Sequence, residues 1–102
     1  MAGARPSLVL LDLNGPEFLS QFFALDASTL SQVVQALGRL RRLSWADVYK
    51  SQGLKWEKVG TAPNGAPLHS LRLSLKVRAI AFRQGDYLRL VSLHPDHDSA
   101  YD

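Results

Sequence analysis

Residues Leu68 to Tyr101, LHSLRLSLKVRAIAFRQGDYLRLVSLHPDHDSAY, decide the fold. Leu71, Leu73, Leu75 and Val77 fall on one parity and Ser70, Arg72, Ser74, Lys76 and Arg78 on the other, the period of two that a half-buried strand imposes. The pattern predicts a sheet with one apolar face and one cationic face. The run is longer than a typical strand of about 5–6 residues, so a tight turn or bulge is expected near Ser74 to Lys76, although no glycine marks it. Arg83-Gln84-Gly85-Asp86 supplies the residue of positive φ for a hairpin turn, and Tyr87 to Leu93 reads as the returning strand. That strand leads into His94-Pro95-Asp96-His97-Asp98, which combines two of the three histidines with two carboxylates.

Upstream, the order of elements points to strand, helices, then sheet. Ser7 to Asp12 is a short apolar run, expected to be a strand buried on both faces inside the sheet. Asn14-Gly15-Pro16-Glu17 starts a helix whose Phe18, Leu19, Phe22 and Phe23 form an aromatic face, suited to a core or to a partner. Asp26-Ala27-Ser28 caps a second helix carrying Leu30, Val33, Val34, Leu37 and Leu40 at helical spacing. Ser44-Trp45-Ala46-Asp47 resembles a capping box and opens a short third helix that stops near Gly53. Leu54 to Val59 is ambiguous between helix and strand, and Thr61 to Pro67 reads as a loop with an Asn64-Gly65 turn. Helices grouped before strands give an α+β fold, with an N-terminal strand and two to three helices packed on a C-terminal antiparallel sheet.

The chain has 102 residues and reads as one domain from 1 to 102. Its 46% apolar and 21% charged content is ordinary for a globular protein, and it has no cysteine, which excludes disulfides and thiolate metal sites. Leu8 to Leu11 is too short for a membrane span, so the expected location is the cytoplasm, away from membranes. The net charge of +3 hides an uneven distribution. Arg39 to Arg83 holds ten Lys or Arg against only Asp47 and Glu57, and both flanking segments carry more acids than bases. Such a block suits a polyanion, or simply a solvated surface.

Phosphate-binding glycine loops, the G-x-S-x-G elbow and the H-E-x-x-H helix are all missing from the sequence. The candidate chemistry lies in the cationic face and the histidine cluster. Arg72 and Arg78 could clamp a phosphate and Lys76 could add a point charge. His94 and His97 could be general acid or base groups, metal ligands, or members of a polar turn; extended spacing and basic surroundings count against a metal. Tyr101 could cap the core, stack on a base or donate a proton, and His69 reads as structural.

The segment Leu71 to Ala79, the Gly85-Asp86 hairpin and the closing His94-x-x-His97-Asp98 with Tyr101 resemble the C-terminal half of the RelE/ParE superfamily of bacterial toxins. The specific signal lies in Leu68 to Tyr101, and Val77 stands where an aromatic residue is common in the family. The resemblance implies the toxin of a type II toxin-antitoxin system, with a cognate antitoxin, the ribosome and mRNA as partners and no cofactor. A RelE-like member would be a ribosome-dependent mRNA endonuclease using the RNA 2′-hydroxyl as nucleophile, with no metal. By position, Arg78 would stabilise the transition state, Tyr101 matches the C-terminal aromatic residue, and His94 or His97 falls where some members place a catalytic histidine. Arg72 and Lys76 would hold the RNA backbone, with Lys55 and Lys58 as further cations. The alternatives are a ParE-like toxin that inhibits DNA gyrase by binding it, and a noncatalytic RNA-binding module. Oligomeric state stays open.

Overall fold

The computed structural model describes residues 7–95. It follows the order β1 (Leu10–Asp12), α1 (Pro16–Phe23), α2 (Ala27–Leu40), α3 (Trp45–Lys50), β2 (Glu57–Thr61), β3 (Pro67–Ser74), β4 (Val77–Gln84) and β5 (Tyr87–Pro95). The five strands form one sheet in the order β1-β5-β4-β3-β2. β2 to β5 form an antiparallel meander, and β1 adds to β5 in parallel. The expected α+β fold is present, with helices packed on one side of the sheet.

Burial in β4 alternates strictly over Val77, Ala79 and Ala81, which lie inward, and Arg78, which lies outward. Inward residues of three strands meet Phe18 of α1, Val33, Leu37 and Leu40 of α2, and Trp45 and Val48 of α3 in one core. α1 packs on β5 and α2 on β3. The aromatic face of α1 is therefore mostly core: Phe18 is fully buried, Leu19 and Phe22 pack against the cluster, and Phe23 points to solvent.

The helix starts follow from local chemistry. Asp26 accepts from the Thr29 backbone N–H at 2.7 Å, and Ser44 and Asp47 form a reciprocal capping box with bonds of 3.1 Å each. α1 has Gly15 at its cap without a side-chain bond and Pro16 in its first turn. Glycine is required there because a Cβ would lie 2.9 Å from the Leu90 carbonyl oxygen, closer than real Cβ contacts come.

Two register shifts set what the sheet displays. The pairing of Arg72 with Arg78 and Ser74 with Val77 skips Leu73, so the chain turns tightly through Leu75 and Lys76 where the sequence pattern required it. In β5, Ile80 pairs with Ser92 and Ala81 with Leu90, leaving Val91 without a partner. Leu88 and Leu90 point inward before this bulge and Leu93 after it, so His94 emerges on the outer face opposite Arg78. A regular strand would have turned His94 toward the core. Gly85, at φ 61°, makes the β4–β5 turn as its sequence predicts.

Two sequence expectations are revised and one ambiguity is resolved. The Ser7 to Asp12 run is not interior: it supplies the edge strand β1, with Val9 inward and Leu8 and Leu10 about half exposed. An apolar run alone does not distinguish a central strand from an edge strand with an exposed apolar face. Leu54 to Val59 divides at Lys55, whose φ of 51° breaks the chain direction before β2 begins at Glu57. Thr61 and Pro67, read as loop ends, are paired strand residues around the Asn64-Gly65 turn.

Candidate functional site: the outer face of the sheet

The cross-strand register places Arg72, Arg78 and His94 in one row across β3, β4 and β5. Arg78 and His94 are exposed and Arg72 is half-buried. Like charges directly opposite on a sheet repel, so the Arg72–Arg78 pair opposes folding unless an anion bridges it. Neither arginine forms an ion pair among the described residues, where the two ion pairs are Arg83–Asp86 and Arg89–Asp12. Beside them the His94 Nε2 and the Ser92 hydroxyl lie 2.8 Å apart, which orients the imidazole and leaves Nδ1 for another partner. The row can hold a phosphate between two guanidinium groups with an imidazole at its flank.

Lys76 lies at the end of the same hairpin, in the Leu75-Lys76 turn, and borders a cleft of about 490 Å³ with Asp26, Thr29 and Arg39 of the α2 side. Lys58 pairs with His69 and so belongs to the opposite, helix-facing side of the sheet, and Lys55 sits in the loop before β2. The structure thus gathers Arg72, Arg78 and His94 and sets Lys58 apart from them. His97 and Tyr101 lie outside the described residues. Among the described residues no cluster of three His, Asp or Glu could hold a metal, and no helix is long and apolar enough to cross a membrane.

On the helix-facing side a second cluster serves stability. The His69 ring stacks on Trp56 at 4.3 Å, and Trp56 meets Trp45 at 5.7 Å and Tyr49 at 6.2 Å. His69 Nδ1 is buried without a hydrogen-bond partner. Burial holds its pKa below the ordinary value, partly offset by the Pro67 carbonyl, and Lys58 adds repulsion. A histidine whose folded pKa is lowered binds its proton more readily in the unfolded chain, so stability falls as pH drops below about 6.5. We expect the urea midpoint to decline between about pH 7.5 and about pH 5, and His69→Phe to flatten that decline. An unchanged profile in His69→Phe would assign the acid sensitivity elsewhere. The lowered pKa values of Asp12, Asp26 and Asp47, each led by a backbone N–H bond, act only at more acidic pH.

Sequence reading did not single out Phe82, Tyr87 and Arg89, which share this outer face. Phe82 pairs with Arg89, and the Arg89 guanidinium lies 5.0 Å from the centre of the Tyr87 ring. The period-two pattern of Tyr87, Arg89 and Val91 was the available signal, but the shift at Val91 conceals which of these residues joins the Arg78 side.

No protein-family model matches the chain, and no curated relative matches it by sequence. Among solved structures, it is similar to a copper-bound mutant toxin from Helicobacter pylori, with a TM-score of 0.42 and 16% identity over 93% of this chain and 98% of that one. A likeness at that level carries no argument about function.

Proposed function

We propose that the chain is a RelE-like toxin that binds RNA on the outer face of its sheet and cleaves it as a metal-independent endoribonuclease acting on translated mRNA, countered by a cognate antitoxin. The observation that carries this reading is the Arg72–Arg78–His94 row, in which two opposed arginines remain without a carboxylate among the described residues. An RNA phosphate would relieve their repulsion, and the adjacent imidazole supplies a nitrogen that can take up or give a proton.

In the proposed reaction the 2′-hydroxyl oxygen attacks the adjacent phosphorus and its proton passes to His94. The bond from phosphorus to the 5′-oxygen breaks, giving a cyclic 2′,3′-phosphate and a free 5′-hydroxyl. Arg78 and Arg72 stabilise the charge that builds on the phosphoryl oxygens. The proton for the leaving oxygen would come from a second group, for which the sequence offers His97 and Tyr101.

Inducible expression in a bacterial host, with transcript ends mapped by primer extension, tests this reading. Growth arrest with new ends confined to translated messages is expected, and His94→Gln should remove both. Arrest without cleavage would shift the reading to a protein target such as gyrase. No arrest would overturn the toxin reading and leave noncatalytic RNA binding, which needs the arginines but not His94.

A further inference from the structure

Beside the arginine row, the outer face continues into a cleft of about 540 Å³ where the β4–β5 surface meets the segment leading into α1. Phe82 and Pro16 give it apolar walls, and Arg89, Asp12 and Glu17 give it a polar rim. Its electrostatics differ from those of the row. Arg89 is already paired with Asp12 and hydrogen-bonded to Gln84, so its charge is neutralised and its plane fixed. Glu17 contributes a further carboxylate whose Oε2 accepts from Gln21 at 3.4 Å, leaving Oε1 without a partner among the described residues. A phosphate would be repelled from such a rim. A flat, neutral ring bearing N–H donors would be accepted, with Phe82 as its stacking surface and the carboxylate as acceptor.

The spacing agrees with one ligand spanning both places. Phe82 lies four residues along β4 from Arg78 and on the same face, a distance of about 13 Å. That separation suits a short single strand whose phosphate rests on the arginines and whose unpaired base reaches the cleft. We propose that this cleft is a nucleobase subsite, with Phe82 stacking the base and Glu17 reading its Watson–Crick edge, and that it prefers guanine, whose adjacent N1–H and N2–H groups match a carboxylate. The proposal rests on the RNA-binding reading above and adds to it a determinant of sequence preference.

Fluorescence anisotropy with two labelled oligouridylates, one carrying a single internal guanosine and both protected from cleavage by 2′-O-methyl groups, tests it. Wild type should bind the guanosine-containing strand more tightly. Phe82→Leu should weaken that binding about tenfold. Glu17→Ala, an exposed position on α1, should erase the preference for guanosine, and it stays informative if Phe82→Leu disturbs the fold. Arg78→Gln should weaken both strands equally. If Phe82→Leu and Glu17→Ala keep the wild-type affinities while Arg78→Gln weakens both strands, the subsite is refuted and RNA binding stands. If wild type binds neither strand, both fail.

Discussion

Trp45→Ala is expected to destabilise the protein by about 3–5 kcal/mol, the range for deleting a buried aromatic side chain. Trp45 is 3% exposed and joins α3 to the far end of the sheet. Its indole N–H donates to the Asp86 carbonyl at 2.9 Å, in the β4–β5 turn, and the Arg83 guanidinium lies 4.4 Å over its ring. Arg83 is itself fixed by bonds of 2.8 Å to the Tyr49 hydroxyl and 2.7 Å to the Gly85 carbonyl. The backbone N–H of Trp45 also donates to the Ser7 carbonyl at 2.9 Å, so one residue secures the chain before β1, α3 and the hairpin. Against a usual stability of about 5–15 kcal/mol, the loss would leave little margin. Trp45→Phe keeps most of the packing and removes the hydrogen bond, with an expected cost nearer 1 kcal/mol. Urea unfolding of both variants measures this, and a cost below about 1 kcal/mol for Trp45→Ala would show that the anchor is elsewhere.

The double substitution Arg72→Ala with Arg78→Ala should separate function from stability. Removing two opposed like charges from a sheet relieves repulsion, so the variant should be as stable as wild type or up to about 1 kcal/mol more stable. Its RNA affinity should fall, and the slope of log K against log salt concentration should become shallower by about 0.7, the share of one phosphate contact on a single strand. Gained stability with lost binding is the signature of residues retained for a ligand. Lost stability with unchanged binding would mean that the arginines serve the fold.

Much of the fold was legible because it rests on local rules. Pro16 after Gly15, the Asp26 cap, the Ser44–Asp47 box and Gly85 each declare an element boundary, and the alternation of Leu71 to Val77 declares a two-faced sheet. What stayed hidden depends on register. The bulges at Leu73 and Val91 are pairing decisions between strands, and the second alone determines that His94 joins Arg78 on the outer face. The edge position of β1 was hidden for the same reason, since Leu8, Val9 and Leu10 read alike until the neighbouring strand shows which of them meets the core. For the site, Arg72, Arg78 and His94 were named from charge and acid-base chemistry. The cleft around Phe82 needed residues from β1, α1, β4 and β5 to be assembled before it existed as a place.

The most direct measurement of the central claim is amide chemical-shift mapping by NMR as a short uncleavable single-stranded RNA is added. Binding on the outer face predicts the largest shifts at Arg72, Arg78, Ser92 and His94, with α2 and α3 little changed. Shifts concentrated on the helices, or no shifts at all, would contradict the assignment of RNA to this face.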